Sequence, residues 1–134
     1  MSSCPDKKGR YDQLRVENIR LETEVGEMAD VPVLKVAGEI DVYTAPELRA
    51  AINEAIGSGA TDLIIDLTDV GYMDSSGFGM LLGAAKRVKP KGGTINLVGC
   101  SEAVGRMLSI TRLDTVFGVF SEVKQAVEST KAGK

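Results

Sequence analysis

The sequence predicts an α/β fold: a four- to five-stranded mixed sheet with about four helices packed mainly on one of its faces. Three observations predict it. Leu63, Ile64, Ile65 and Leu67 form a nearly unbroken apolar run, the pattern of a strand covered on both faces and therefore central in its sheet. Strand patterns come first, and segments with apolar residues every three or four positions then alternate with short strands, an order that layers helices on a sheet. Finally, 134 residues suit one domain with a sizeable core. The expected division is a flexible leader over 1–10, a single domain over 11–130 and a tail over 131–134.

Taken in order, Leu14 to Val25 alternates in two phases that change near Asn18, as a bulge or a break between strands would produce. Val31 to Ala37 reads as the next strand, with Pro32 at its start where a missing N–H is tolerated. Gly38-Glu39-Ile40-Asp41 leads into a helix. Thr44 and Glu47 have capping-box spacing there, Pro46 lies in the first turn, and Leu48, Ala51, Ile52, Ala55 and Ile56 form an inward face. Gly57-Ser58-Gly59 ends it.

After the central strand, Asp69-Val70-Gly71 reads as a polar turn, and Asp74, Ser75 and Ser76 all suit a helix N-cap. Pro90 stops that helix near Lys89. Its stripe of Phe78, Leu81, Leu82, Ala85 and Val88 is expected against the sheet. Lys91-Gly92-Gly93 is a turn and Thr94 to Val98 a strand. Ser101 caps a short helix to about Ser109 with Val104, Met107 and Leu108 inward. Thr115 to Phe120 is the last strand, and Ser121 caps a last helix carrying Val123, Ala126 and Val127.

The central helix presents Ser76, Gly79, Met80, Gly83 and Arg87 on its other side. Two glycines on a helix surface each cost about 1 kcal/mol relative to alanine. One reading is a flat platform for a partner protein, with Met80 as an adaptable apolar contact; the other is close approach within the domain. Ser75 and Ser76 lie where the helix's unpaired N–H groups favour negative charge. A phosphate on a hydroxyl there would be accommodated by the helix and would face any incoming partner; both serines also suit plain capping.

Chemistry is scarce. Histidine is absent, which removes the commonest general base and metal ligand. Met73-Asp-Ser-Ser-Gly77 lacks the first glycine of a nucleophile elbow, and no phosphate-cradling glycine motif occurs. Asp66, Asp69 and Asp74 offer oxygen ligands for Mg²⁺ around the strand end, against the plainer reading of solvated turn carboxylates. The net charge is −3 with scattered Lys and Arg, so no nucleic-acid surface is expected. No apolar run reaches the roughly 20 residues of a membrane span, and the first ten residues carry no hydrophobic segment, so a cytoplasmic protein is expected. Cys4 and Cys100 fit neither a disulfide framework nor a metal site. No cofactor is expected, and binding explains more than catalysis.

Gly38-Glu39-Ile40-Asp41, Thr44-Ala45, Leu63 to Leu67, Met73-Asp74-Ser75-Ser76-Gly77-Phe78-Gly79 and Leu113-Asp114-x-x-Phe117 resemble the STAS domain family, and more narrowly its bacterial anti-sigma-factor antagonists. The likeness runs from about Leu14 to Thr130; Phe78 departs from it, standing where an aliphatic residue is commoner. The resemblance implies a STAS-like fold and a partner switch. The unmodified antagonist binds an anti-sigma factor with serine kinase activity and frees a sigma factor; the kinase then phosphorylates the antagonist, and a metal-dependent serine phosphatase resets it. By the same resemblance Ser75 is the phosphoacceptor, Ser76 its neighbour, and Glu39 and Asp41 an acidic loop near it that contacts the kinase. The expected partner surface is thus Glu39, Asp41, Asp74, Ser76, Gly77, Gly79, Met80 and Gly83. A rival within the same fold is a scaffold subunit of a larger sensory or transport assembly.

Overall fold

A computed structural model describes residues 21–57 and 59–132. Among them are β1 (Glu22–Met28), β2 (Val31–Ile40), α1 (Ala45–Gly57), β3 (Leu63–Met73), α2 (Ser75–Val88), β4 (Ile95–Val98), α3 (Glu102–Ile110), β5 (Gly118–Phe120) and α4 (Val123–Ala132). The sheet is five-stranded and its spatial order is the chain order, β1-β2-β3-β4-β5. β1 is antiparallel to β2, and the remaining pairs are parallel, so the sheet is mixed as expected. Cys4 and the phase change near Asn18 lie outside the described residues.

β1 and β2 are joined by Ala29 and Asp30, whose φ angles of 52° and 72° are the left-handed values that a tight two-residue hairpin requires. β1 is exposed along its whole length and is the edge of the sheet among the described residues; Glu22, Glu24 and Glu27 charge it, as suits an edge strand.

Two apolar clusters hold the layers. The larger joins Leu48 and Ile52 of α1, Phe78, Leu81 and Ala84 of α2, and Val104 and Leu108 of α3 to Leu34, Ile65 and Leu67 on one face of the sheet. The smaller sets Ala126 and Val127 of α4 against Val31, Ile64 and Val98 on the opposite face. Three helices therefore share one face, and the middle strand is covered on both. On the α4 side a buried polar pair adds direction: Asn96 Nδ2 donates to Thr130 Oγ1 at 2.8 Å.

Several local expectations are corrected. β3 does not stop at a polar turn; it runs on through Asp69-Val70-Gly71 to Met73. Pairing with β2 shifts between Lys35 and Ala37 and again between Gly38 and Glu39, and at each shift β3 carries the extra residue. Such bulges break the period of two on which strand recognition rests. Thr44 does not cap α1 with its side chain; its buried hydroxyl donates to the Glu39 carbonyl at 2.8 Å. Ser121 likewise donates to Gln125 Oε1, and that oxygen also accepts from the Ser121 and Glu122 N–H groups. Met107 is 42% exposed. β5 begins only at Gly118 because Leu113–Thr115 forms a 3₁₀ turn. α4 continues through Ala132, two residues into the stretch read as tail.

α2 also sits differently on the sheet. Its buried residues are Gly77, Phe78, Leu81, Ala84 and Val88, whereas Leu82 and Ala85 are half-buried. At 3.6 residues per turn this inward stripe is rotated by roughly 50° from the expected one.

Candidate functional site

Parallel β2 and β3 end at the same pole of the sheet, and their last residues, Ile40 and Met73, are register partners. The Asp74 N–H donates to the Ile40 carbonyl at 3.0 Å, which ties the start of α2 to the loop that follows β2. Residues distant in sequence, Glu39 to Thr44 and Asp74 to Ser76, are thereby brought side by side.

Asp74 is the N-cap of α2. It has extended backbone, and its Oδ1 accepts from the Ser76 N–H at 2.9 Å and from the Gly77 N–H at 3.3 Å. With the capping role taken by Asp74, the Ser75 side chain is released from it. Ser75 is the first helical residue and is exposed, and its hydroxyl forms no cap bond among the described residues. Ser76 is half-buried.

The rotation of α2 sorts the remaining platform residues. Gly79 is exposed, and a Cβ added there would meet nothing within 4 Å. At Gly83 an added Cβ would approach only Arg87 Nη1, at 4.0 Å. Neither glycine is needed for close approach inside the domain, so the open-platform reading suits them. Gly77 is the reverse: an added Cβ would lie 2.5 Å from Met73 Cγ and 2.6 Å from Ile40 Cγ2. It is buried and lets the helix close on the strand ends, which corrects its assignment to the partner surface. Met80 is half-buried and packs partly on the core, so it borders the platform rather than crowning it.

The acidic loop is more engaged than expected. Glu39 is exposed, but Asp41 is half-buried. Asp41 Oδ1 accepts from the Tyr43 N–H at 2.9 Å and the Thr44 N–H at 3.0 Å, and the Asp41 N–H donates to Thr44 Oγ1 at 3.0 Å. Sequence reasoning passed over three residues at this pole. Val42, Tyr43 and Tyr72 are 60%, 77% and 51% exposed; for the first two the available signal was the unusual pair of large apolar residues between a strand and a helix.

Among the described residues no group of three or more acidic or thiol side chains is arranged to hold a metal ion. Asp66 and Asp69 lie along the extended β3 and Asp74 caps α2, so the three are not gathered at a turn. Asp66 Oδ1 is occupied by the Thr68 hydroxyl and N–H, at 2.6 and 3.0 Å. A cavity of about 320 Å³ lies at the other pole, between the end of α2 and the start of β5. What the Ser75 pole offers is an open, acidic surface with the exposed Ser75 hydroxyl at the mouth of α2, a surface suited to a protein partner and an oxygen open to group transfer.

Known proteins match this arrangement. Residues 22–126 match the family described as "STAS domain". An anti-sigma-B factor antagonist of Bacillus subtilis (strain 168) is 40% identical over 111 residues, covering 83% of this chain and 99% of that protein. One from Staphylococcus epidermidis is 35% identical over 102 residues, covering 76% and 93%. The crystal structure of an anti-sigma factor antagonist from Mycobacterium paratuberculosis superposes with a TM-score of 0.76 at 29% identity, covering 83% of this chain and 94% of the other. With the family matched over residues 22–126 and a relative 40% identical over 83% of its length, the chain belongs to the STAS domain family.

Proposed function

We propose that this protein is an anti-sigma-factor antagonist governed by phosphorylation of Ser75. Unmodified, it docks through the Ser75 pole and the outer face of α2 on an anti-sigma factor with serine kinase activity, and a sigma factor is set free. The kinase then transfers a phosphoryl group to Ser75 and the complex separates; a metal-dependent serine phosphatase restores the hydroxyl. The relatives' names support the antagonist role. The observation that carries the switch is Ser75 itself, exposed at the first position of a helix whose cap is supplied by Asp74.

The physical effect of the phosphate follows from that placement. It adds about −1.5 to −2 charges to a protein whose net charge is −3. The helix N-terminus tolerates the anion, so the fold survives. Asp74 is held beside the anion, its Oδ1 accepting from two backbone N–H groups. At an assumed ~6 Å, a dianion and a carboxylate repel by roughly 1 to 5 kcal/mol between water-like and near-surface dielectric. Both charges lie on this protein, so only the rise from the lower figure in the free state toward the upper one under a docked partner, up to about 4 kcal/mol, opposes binding, a weakening of up to about a thousandfold.

This role asks of the chain only that it present a hydroxyl and a surface, and it places the protein in the cytoplasm beside the transcription machinery. Among the described residues no helix is long and apolar enough to cross a membrane. The test is to capture the kinase from the source cells with the Ser75→Ala form, then incubate the wild-type protein with that kinase and ATP. Intact mass and a peptide map are expected to show one phosphate on the peptide containing Ser75. Phosphate on another residue, or none, refutes the assignment.

A further inference from the structure

We infer that Val42 and Tyr43 form the apolar anchor that holds the anti-sigma factor, and that Asp41 serves it by fixing the loop that presents them. This rests on the function proposed above and separates two jobs at one pole: Ser75 switches, and the anchor holds.

The loop is preorganised. Asp41 Oδ1 closes on the Tyr43 and Thr44 N–H groups, and the Thr44 hydroxyl, 2% exposed, bonds the Glu39 carbonyl. A loop so fixed still turns Val42 and Tyr43 outward, at 60% and 77% exposure. Tyr72, the register partner of Glu39, is set apart from this loop: it precedes Met73, which packs with α1, α2 and α3, so strand alternation turns it to the opposite face of the sheet. Rigid, exposed aromatic side chains such as that of Tyr43 lose little freedom on binding and dominate interface energetics.

The occupant is set by charge. Stretches 39–44 and 72–79 contain Glu39, Asp41 and Asp74 and no Lys or Arg. Exposed apolar side chains beside the exposed Glu39, with no cation in either stretch, fit a partner with an apolar pocket bordered by basic groups. The carboxylate of Asp41 is half-buried and bonded within its own loop, so it acts on the partner through Val42 and Tyr43 rather than by direct contact.

The test uses the full chain and the purified kinase that the Ser75→Ala form captures. The double variant Val42→Ser with Tyr43→Ser is expected to lose at least about thirtyfold in affinity by titration calorimetry. Its melting temperature should stay near wild type, since the altered side chains are exposed. Asp41→Asn keeps an oxygen that can accept both N–H groups and should bind within about threefold of wild type, whereas Asp41→Ala opens the loop and should fall with the double variant. Unchanged affinity of the double variant overturns the anchor. Equal failure of Asp41→Asn and Asp41→Ala overturns the positioning role. A wild-type dimer in sedimentation that the double variant abolishes would assign the patch to a second copy instead. Failure of Ser75→Ala to capture any kinase is a different result, and it sinks the proposed function rather than the anchor alone.

Discussion

Four glycines on two helices allow the orientation of α2 to be read from stability alone. Gly79, Gly83 and Gly105 leave open space where a Cβ would go, so replacing each by alanine should recover most of the roughly 1 kcal/mol that glycine costs in a helix. With a urea m-value near 2 kcal/mol/M, the midpoint should rise by about 0.5 M for each. Gly77 gains the same propensity, but its new methyl group would stand 2.5 Å from Met73 Cγ and 2.6 Å from Ile40 Cγ2. Overpacking of that kind costs about 1 to 3 kcal/mol, so the net change should run from nothing to a loss of about 2 kcal/mol. Urea melts of the four variants in parallel supply the assay. A Gly77→Ala midpoint as high as that of Gly105→Ala would refute the inward placement of Gly77 and the rotation of α2 with it. The same variants separate stability from binding: Gly79→Ala raises a methyl group on the proposed platform and should weaken kinase capture, whereas Gly105→Ala, on α3, should not.

Asp74→Ala removes the side-chain cap that holds the Ser76 and Gly77 N–H groups and should lower stability by about 1 kcal/mol, within a usual range of about 0.5 to 2. Asp74→Asn should keep most of it, and equal urea midpoints for all three proteins would contradict the cap. Burial pushes the Cys100 thiol above its ordinary pKa. Because the neutral thiol is the form the fold favours, its stabilising effect is present below the ordinary thiol range and is lost as pH climbs through the raised value. Stability melts from neutral to alkaline pH should therefore show a decline that Cys100→Ala removes, and the Cys100 peptide should alkylate slowly at neutral pH.

Much of the architecture was legible because it is written in local patterns. The unbroken apolar run at Leu63 to Leu67 marked the covered middle strand, and the switch from period two to period 3.6 marked the helices between parallel strands. Asp74-Ser75-Ser76 located the mouth of α2 to within a residue, since the cap is a short-range matter of one side chain and the N–H groups just after it. The misses have a shared cause. Two bulges disguised the second half of β3 as a turn, and they exist only through pairing with β2. Met107 satisfied a helical spacing yet remained exposed, since periodicity says which residues share a stripe and not how far the opposing surface extends.

The amino-acid order alone determined the element types, the position of the helix mouth and the serine standing in it, because each depends on neighbours a few residues away. Only the tertiary structure decided which face of α2 turns inward, that Gly77 is consumed in closing the helix on the strand ends while Gly79 stays open, and that Asp41 is spent on holding Val42 and Tyr43 outward. Those outcomes depend on where β2 ends relative to β3. Such a register is set by contacts between segments some thirty residues apart, along which no short-range pattern can carry information.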